Sequence, residues 1–271
     1  MANRTAILAA TVAMVATAAH ATETQRYGGR DMLVHVPVHM ASANDRALVI
    51  VLHGGLGNAS RIESERSETG MNLDAIADRY GFVVAYLNGT PVTRRLGDKF
   101  LGWNAGACCG QSSANNIDDV GYIKGAVNDL IARYGIPRSR VFGMGHSNGA
   151  MMTLRMMCET NVYAAAISIS GALETADQTC PDARGKRILA IHGADDANVP
   201  VAGGEGRGLS RTDYNSEAYT SGIFRNSGVR YELKILPGAD HALDHIDAVL
   251  QKSEGMTVAQ QVVRFFGLDK P

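Results

Sequence analysis

Residues 145–149, with the sequence GHSNG, combine a serine with the small neighbours that a nucleophile on a tight turn requires. They match the pattern G-x-S-x-G, in which the serine stands between a strand and a helix. The apolar run at 141–144 predicts the strand, and the residues after 149 favour a helix. Ser147 is therefore predicted to be a nucleophile beside a helix N-terminus, whose dipole favours a developing anion. The alternative is a glycine-rich turn in which Ser147 only caps the helix.

A second glycine-rich segment could bind the anion that such a nucleophile generates. His53-Gly54-Gly55 directly follows the apolar run ALVIVL at 47–52. A loop without side chains in the way can present backbone N–H groups to an oxyanion. The other donor is predicted to be the N–H of Asn148, the residue after the nucleophile. A plain glycine turn is the alternative interpretation of residues 53–55.

A serine hydroxyl is a weak nucleophile, so a histidine must accept its proton. His192, His241 and His245 follow the serine in the chain. They are the candidates because the expected chain order is serine, acid, histidine. We favour His241, because it lies in the loop PGADH after the last predicted strand, off the sheet edge, where the base is expected. His245 is expected in the first turn of a helix. His192 is expected at a strand end, where a structural or pocket role suits it.

An acid must in turn orient that histidine. Asp195 and Asp196 both follow a predicted strand end, and their spacing alone does not separate them. Asp240 is the immediate neighbour of His241 and points awkwardly for orienting it. The residue pattern therefore leaves Asp195 and Asp196 as equal candidates.

Elements that could position these residues alternate along the chain. The predicted strands are 32–38, 47–52, 82–87, 141–144, 164–169, 187–191 and 230–236. The predicted helices are 73–80, 118–134, 150–159, 244–251 and 257–266. Strands separated by helices imply a mostly parallel sheet, and the fully apolar runs are typical of strands buried on both faces. Two long loops, 88–116 and 197–216, are candidates for functional loops.

Two groups of residues favour a structural over a functional interpretation. Asp118 and Asp119 open the helix 118–134, where acids act as caps and complement the helix dipole. The methionines of the helix after Ser147 are expected to pack in the core. They are Met151, Met152, Met156 and Met157.

Length and composition exclude several classes of protein. The chain has 271 residues, of which 45% are hydrophobic and 20% charged, as in ordinary globular proteins and unlike disordered or collagen-like chains. The formal net charge is −1, so electrostatic binding of nucleic acid is not expected. After the first 21 residues we find no segment long and apolar enough to suggest a membrane span.

The first 21 residues have the pattern of a secretory signal peptide. Arg4 supplies a positive charge, an apolar stretch follows, and Ala19-His20-Ala21 offers an A-x-A cleavage site. We expect residues 1–21 to be removed on export and residues 22–271 to form a single catalytic domain, secreted or periplasmic. No cysteine lies near the cleavage point, so a lipid anchor is not expected.

Four cysteines fit an oxidising compartment: Cys108, Cys109, Cys158 and Cys180. Disulfides are favoured over a metal site, because the adjacent cysteines lack C-x-x-C spacing and have no nearby histidine pair. Four cysteines allow three pairings, and the connectivity does not follow from the sequence. A bond between Cys158 and Cys180 would leave Cys108 and Cys109 either free or joined to each other.

Five segments together resemble the secreted esterases grouped as polyhydroxybutyrate depolymerase-like and feruloyl esterase-like. They are LHGG at 52–55, GWNAGACCG at 102–110, DDVGY at 118–122, GHSNGAMM at 145–152 and HGADDANVP at 192–200. The resemblance implies the α/β-hydrolase fold, an α/β architecture with a mostly parallel central sheet and helices on both faces.

The resemblance also implies roles for particular residues. The family pattern H-G-x-x-D-x-x-V-P places the acid at Asp196, and a G-x-x-H loop places the base at His241. Gly55 matches the oxyanion donor of the first loop, although Leu56 could serve. The chain departs from the family at 242–244, which read ALD where the family often has Trp-Pro after the histidine.

The combined prediction is a serine carboxylic-ester hydrolase that acts through an acyl-enzyme and needs no metal or organic cofactor. Feruloyl or related hydroxycinnamoyl esters are the favoured substrates, and polyhydroxybutyrate or hydroxyalkanoate oligomers are the alternative. Trp103, His146 and His192 are candidates to line the substrate pocket, although Trp103 could equally anchor its loop. The expected partner is a small-molecule or oligomeric ester, with no nucleic acid and no membrane anchor. An acyltransferase or a non-catalytic binding protein could use the same fold.

Overall fold

The computed structural model describes residues 22–64, 70–93, 95, 97–207 and 212–269. The predicted signal peptide, residues 1–21, lies outside the described residues. Within these ranges no helix has both the length and the apolar character that crossing a membrane requires.

Strands and helices alternate along the described chain, and short 3-10 turns occur at Gly97–Lys99, Arg138–Arg140 and Pro181–Ala183. The strands are β1 (Glu23–Tyr27), β2 (Arg30–His35), β3 (Leu48–Leu52), β4 (Val83–Leu87), β5 (Thr90–Pro91), β6 (Leu101–Gly102), β7 (Val141–His146), β8 (Ala165–Ile169), β9 (Arg187–Gly193), β10 (Gly204–Glu205), β11 (Asp213–Tyr214) and β12 (Arg230–Leu236). The helices are α1 (Ala59–Glu63), α2 (Asp74–Tyr80), α3 (Gly110–Ala114), α4 (Asp119–Tyr134), α5 (Asn148–Glu159), α6 (Glu217–Asn226), α7 (Leu243–Glu254) and α8 (Val258–Phe266).

Eight strands form one sheet in the order β1-β2-β4-β3-β7-β8-β9-β12. β1 pairs with β2, and β2 with β4, in antiparallel fashion. Every neighbouring pair from β4 to β12 is parallel. The prediction of a mostly parallel central sheet is confirmed.

Both faces of the sheet are covered by helices, because alternate residues of the buried strands point to opposite sides. In β3, Leu48, Ile50 and Leu52 belong to one apolar cluster and Val49 and Val51 to the other. Helices α4, α5 and α6 contribute to the first cluster, and α1, α2, α7 and α8 to the second. The α5 methionines are all buried in the first cluster, as predicted: Met151, Met152, Met156 and Met157.

Several elements of the fold were not predicted, and β1 and α6 are two of them. β1 has the polar sequence ETQRY, lies at the edge of the sheet and buries none of its side chains fully, so it lacks the apolar run of a central strand. α6 begins at the N-cap Ser216, whose Oγ accepts a hydrogen bond from the Tyr219 N–H at 3.0 Å. Its large buried apolar side chains are only Ile223 and Phe224, which gives a weak periodicity.

Candidate active site

The loops that carry the predicted site residues all leave one edge of the sheet. The carboxyl ends of neighbouring parallel strands lie side by side, and ligands commonly bind at that edge. β3 ends just before His53, β7 before Ser147, β9 before Asp196 and β12 before His241. These strands lie in the order β3-β7-β8-β9-β12. Four loops that are far apart in sequence therefore meet.

Ser147 stands on a sharp turn between β7 and α5. Its backbone has φ 55° and ψ −125°, a conformation that costs energy for any residue except glycine and persists only where the surroundings enforce it. A side chain at Gly145 would collide with the carbonyl of Gly149, and one at Gly149 with the carbonyl of Leu52. Only glycine fits on either side, so β3, β7 and α5 pack closely enough to hold the turn.

His241 lies between Ser147 and Asp196. Its Nε2 is 3.0 Å from the Oγ of Ser147, and its Nδ1 is 2.7 Å from the Oδ2 of Asp196. A carboxylate only accepts hydrogen bonds, so Nδ1 carries the hydrogen and Nε2 can accept the serine proton. The three side chains thus form a continuous hydrogen-bonded chain of the kind that activates a serine hydroxyl.

The buried carboxylate of Asp196 is fully bonded. Its Oδ1 accepts the N–H groups of Asn198 and Val199, both at 2.8 Å. Burial alone would raise the pKa of Asp196, but hydrogen bonds from His192 and His241 and from the Val199 N–H outweigh burial. They hold the pKa of this carboxyl well below its ordinary value, so Asp196 is ionised at neutral pH.

The other candidates for acid and base take no part in the hydrogen bonds that join Ser147, His241 and Asp196. Asp195 is exposed, although it is the neighbour of Asp196. The side chains of Asp240 and His245 are about half exposed and bind each other, with Oδ1 and Nδ1 2.8 Å apart. His241 is therefore the histidine, and Asp196 the carboxylate, that the fold brings to Ser147.

The glycine-rich loop after β3 passes directly against the serine turn. A Cβ built on Gly54 would lie 3.4 Å from the Cβ of Ser147, and one built on Gly55 would lie 3.8 Å from the Cβ of Asn148. A side chain at either position would therefore lie in van der Waals contact with the serine turn. The absence of such side chains leaves room for a carbonyl oxygen beside the serine.

Hydrogen bonds of this loop distinguish Gly55 from Leu56 as the candidate oxyanion donor. The Leu56 N–H donates to the carbonyl of Leu101 at 2.8 Å, so it is already engaged. Among the described residues, no acceptor is bonded to the Gly55 N–H. Asn148 is the first residue of α5, where an N–H group has no acceptor within the helix. Gly55 and Asn148, and not Leu56, are left as candidate oxyanion donors.

Trp103 supports both donor segments from behind. Its indole Nε1–H donates to the carbonyl of His53 at 2.9 Å. Its backbone N–H donates to Asn148 Oδ1 at 2.7 Å, and Asn148 Nδ2 donates back to the Trp103 carbonyl at 3.1 Å. Trp103 is wholly buried. The prediction that it lines the substrate pocket is therefore wrong, and the alternative of a loop anchor describes it.

His53 completes this support. The Gly89 N–H donates to its Nε2 at 3.1 Å, so its Nδ1 carries the hydrogen and donates to the carbonyl of Gly54 at 2.8 Å. Burial lowers the pKa of His53 to about 4. The neutral ring ties the loop after β3 to the loop after β4.

His146 is the one predicted pocket residue that does reach open space. It borders a cleft of about 780 Å³ together with Gly54, Gly55 and Leu56. Its Nε2 lies 2.9 Å from the carbonyl of His241, so Nε2 carries the hydrogen and donates. Burial and the neighbouring His241 lower the pKa of His146 to about 4, which keeps the ring neutral.

The far walls of this cleft come from α1 and α7. They combine apolar and polar side chains, and include Arg61, Ile62, Leu243, Asp244 and Gln251. The volume lies within the range of small-molecule sites in proteins. An ester bound at Ser147 could therefore extend one of its two groups into the cleft.

His192 does not line the cleft, because its side chain is wholly buried. Its Nδ1 is 2.8 Å from Glu217 Oε1, and its Nε2 is 2.9 Å from the carbonyl of Val199. The prediction of a pocket role is wrong for this residue. Sequence reasoning missed Glu217 as well, because an acid in the first turn of a helix is normally explained by the helix dipole.

Asp118 and Asp119 have the structural roles expected of them. Asp118 caps α4 by accepting the Gly121 N–H at 2.7 Å. Asp119 is buried, binds Arg30 at 2.5 Å and accepts the Asn104 N–H at 2.6 Å. It thereby fixes the long loop that carries Trp103.

The four cysteines form two disulfides, matching the preference over a metal site. Cys108 is joined to Cys109, and Cys158 to Cys180. The first pair lies behind the serine turn, where Asn148 Nδ2 is 3.9 Å from the Sγ of Cys108. The second ties α5 to the 3-10 turn before β9.

Comparisons with known proteins relate this chain to esterases. The sequence profile of the phospholipase/carboxylesterase family matches residues 33–245. A feruloyl esterase B of Neurospora crassa is 32% identical over 142 residues, which cover 52% of this chain and 43% of that protein. A feruloyl esterase B of Piromyces equi is 27% identical over 179 residues, 65% of this chain and 31% of that protein. The chain thus spans less than half the length of these curated relatives.

Solved structures share the fold at low sequence identity. An acetyl xylan esterase from Aspergillus awamori superposes with a TM-score of 0.58 and 17% identity, covering 92% of this chain and 99% of that one.

Proposed function

Because this chain belongs to the phospholipase/carboxylesterase family of α/β-hydrolases, we propose that it is a serine carboxylic-ester hydrolase that works through an acyl-enzyme. The observation that carries the proposal is the chain of hydrogen bonds from Ser147 Oγ to His241 at 3.0 Å and from His241 to Asp196 at 2.7 Å. Nucleophile, base and acid are all present, which argues against a non-catalytic binding protein.

The first half of the reaction transfers the acyl group to the enzyme. Ser147 Oγ attacks the ester carbonyl carbon while His241 Nε2 takes the hydroxyl proton. The bond from carbon to the alcohol oxygen then breaks, and His241 gives the proton to the leaving alcohol. In the second half, water attacks the carbonyl carbon of the acyl-serine while His241 takes a proton from the water. The bond from carbon to Ser147 Oγ then breaks, His241 gives the proton back to Oγ, and the acid is released. Asp196 remains ionised throughout and stabilises the imidazolium.

The developing negative charge needs donors that are in place before the reaction. The N–H groups of Gly55 and Asn148 supply them at the edge of the serine turn. Their positions are fixed by Trp103 and His53, so little reorganisation is required as charge builds up.

Hydroxycinnamoyl esters such as feruloyl esters are the favoured substrate class. The support is the 32% identity to the feruloyl esterase B of Neurospora crassa. The cleft of about 780 Å³ beside Gly54–Leu56 is large enough for a substituted aromatic acyl group or its alcohol.

Export from the cytoplasm belongs to the same proposal, with residues 22–271 as one catalytic domain. Its support is the signal-peptide pattern of residues 1–21 and the two disulfides, which form and persist in oxidising compartments. Mass spectrometry of the secreted or periplasmic protein should find the N-terminus at Thr22. An intact Met1 on the exported protein would contradict this.

The catalytic proposal is tested by labelling and by a substrate panel. A fluorophosphonate should add one label per wild-type molecule and none to Ser147→Ala. Ser253→Ala is the matched control, because it removes an exposed hydroxyl on α7. The substrate panel then compares kcat/KM for three kinds of ester: methyl ferulate, short p-nitrophenyl esters and a hydroxybutyrate oligomer.

Each outcome of the panel points to one function. A large kcat/KM for methyl ferulate that is lost in Ser147→Ala supports the proposal. Preference for the oligomer would assign the chain to polymer breakdown instead. Labelling of Ser147 with no hydrolysis of any ester would overturn the hydrolase assignment in favour of acyl transfer.

A further inference from the structure

We propose that His192 is a positioning residue of this site: a buried imidazolium that bridges the carboxylates of Asp196 and Glu217 and holds Asp196 in place for His241. Nothing in the reaction as derived above uses this histidine. The inference rests on the proposed ester hydrolysis only for its kinetic test, because the bridge itself can be observed without any substrate.

Both ring nitrogens of His192 face acceptors. Nδ1 is 2.8 Å from Glu217 Oε1. Nε2 is 2.9 Å from the carbonyl oxygen of Val199 and 3.2 Å from Asp196 Oδ2. A carbonyl cannot donate, so Nε2 must carry a hydrogen. If Glu217 is ionised, Nδ1 must carry one as well, and the ring is then positively charged.

The only other arrangement with the same number of protons is a neutral His192 beside a protonated Glu217. Three features of the surroundings disfavour a protonated Glu217. Tyr231 OH is 2.8 Å from Glu217 Oε2 and can donate to a carboxylate there. Glu217 is the first residue of α6, where the helix dipole stabilises negative charge. Asp196 is a second carboxylate against the ring, and a buried carboxylate favours a cation beside it.

The groups around the ring come from every element packed against it. Asp196 follows β9, Glu217 begins α6 and Tyr231 lies on β12. His146 is the last residue of β7, and His241 lies in the loop after β12. Arg225 of α6 donates to the carbonyl of Tyr231 at 3.2 Å. Burial would lower the pKa of His192, but its hydrogen bonds to Asp196 and Glu217 raise it to about 9.

The bridge has a direct consequence for the proposed acid. Oδ2 of Asp196 is shared by His241 and His192, while Oδ1 is held by the N–H groups of Asn198 and Val199. The carboxylate therefore cannot rotate without breaking a bond on each oxygen. The cation also offsets part of the negative charge that Asp196 presents to His241.

The first measurement is ¹⁵N-edited NMR of the histidine side chains in the full-length protein at pH 8. One ring should have hydrogens on both nitrogens, and this signal should be absent from His192→Gln. In Glu217→Gln the ring loses one carboxylate, so its second hydrogen should be lost at a lower pH than in wild type, for which we expect the loss near pH 9. The measurement on the wild-type protein tests the bridge even where a variant does not fold.

Kinetics with an activated ester supply the second measurement. In His192→Gln, loss of the cation should shift the acidic limb of the kcat/KM profile upward by about one pH unit. At pH 8, above this limb, kcat should fall about tenfold with KM within about twofold, because the residue touches no substrate. Thr220→Val is the matched control: it removes another buried hydrogen bond of α6, to the Leu173 N–H, and should change neither the NMR signal nor the limb.

The outcomes separate the inference from the proposed function. A ring that is neutral at pH 8, or a doubly protonated signal unchanged in Glu217→Gln, would overturn the bridge even in an active esterase. An acidic limb that does not move in His192→Gln would overturn the positioning role. A doubly protonated His192 in a protein that hydrolyses no ester would leave the bridge standing and remove the hydrolase proposal alone.

Discussion

Asp195 and Asp196 are identical side chains one residue apart, yet the fold gives them different surroundings. Asp195 is exposed to water. Asp196 is buried and has donors on both oxygens, two backbone N–H groups and two imidazoles. The spacing in the sequence could not separate them, because the difference arises from a turn that folds the N–H groups of Asn198 and Val199 back onto one carboxylate. Only the resemblance to known esterases pointed to Asp196.

We expect Asp196→Asn to reduce kcat by about four orders of magnitude, because an amide favours the wrong tautomer of the base and cannot stabilise its imidazolium. Asp195→Asn is the matched control and should change kcat less than about twofold. Steady-state kinetics on a p-nitrophenyl ester at pH 8 measure both. Equal losses in the two variants, or the larger loss in Asp195→Asn, would contradict the assignment.

At the scale of elements, the serine turn was predictable and α6 was not. Glycines at fixed positions in the sequence predict the turn. The structure explains why they are needed: a side chain at Gly145 would collide with the carbonyl of Gly149, and one at Gly149 with the carbonyl of Leu52. α6 has few apolar residues, because part of its buried face is polar and meets partners elsewhere in the chain. Glu217, for example, pairs with His192 and Tyr231, and these long-range contacts leave no local pattern in the sequence.

Two glycine substitutions should have opposite effects. Gly145→Ala forces a Cβ onto the carbonyl of Gly149, so it should destabilise the fold by at least about 1–3 kcal/mol and abolish activity. Gly222→Ala adds a methyl group within α6 where no atom lies within 4 Å, and it should stabilise the protein by about 0.5–1 kcal/mol. Urea unfolding measures both. A stabilised Gly145→Ala would show that the turn is looser than described.

At the scale of the whole molecule, the alternation of apolar strands with helices was enough to predict a mostly parallel sheet covered on both faces. The edge strand β1 could not be predicted in this way, because its sequence is polar and it has no apolar face to give a pattern. The cysteine pairing also did not follow from the sequence. It depends on the packing of α5 against the turn before β9, which only the assembled fold defines.

The bond between Cys158 and Cys180 spans 22 residues of sequence. Closing a loop of this length should contribute about 3 kcal/mol to the free energy of unfolding. The double variant Cys158→Ala/Cys180→Ala should lose this amount in urea unfolding, and reductant should have no further effect on that pair. Thiol titration of the denatured, unreduced protein should find no free cysteine, and four free thiols would contradict both disulfides.

Stability should fall on both sides of pH 6.5, because the pKa values of buried histidines shift in both directions, downward for His53 and His146 and upward for His192. The pKa of His53 is lowered from 6.5 to about 4, so the unfolded chain takes up its proton first and stability falls as the pH drops through this range. The full effect is about 3 kcal/mol. The pKa of His192 is raised to about 9, so its contribution is present below pH 6.5 and is lost as the pH rises towards 9.

Urea unfolding between pH 4 and 9 tests this dependence. His53→Gln should flatten the acidic side only, and His192→Gln the alkaline side only. If the two variants keep the wild-type slopes on both sides, other groups control the pH dependence.

Every proposed functional loop lies at the carboxyl edge of the sheet. The opposite edge is therefore a suitable place to attach the protein to a support. There the chain enters β7 and β9 through short exposed turns that include Ser139 and Gly185. A tether to a resin, or a carrier protein joined at either turn, would hold the molecule with its cleft facing the medium. Immobilised in this orientation, a catalyst could process esters of bulky or insoluble material while the attachment stays on the far side of the sheet.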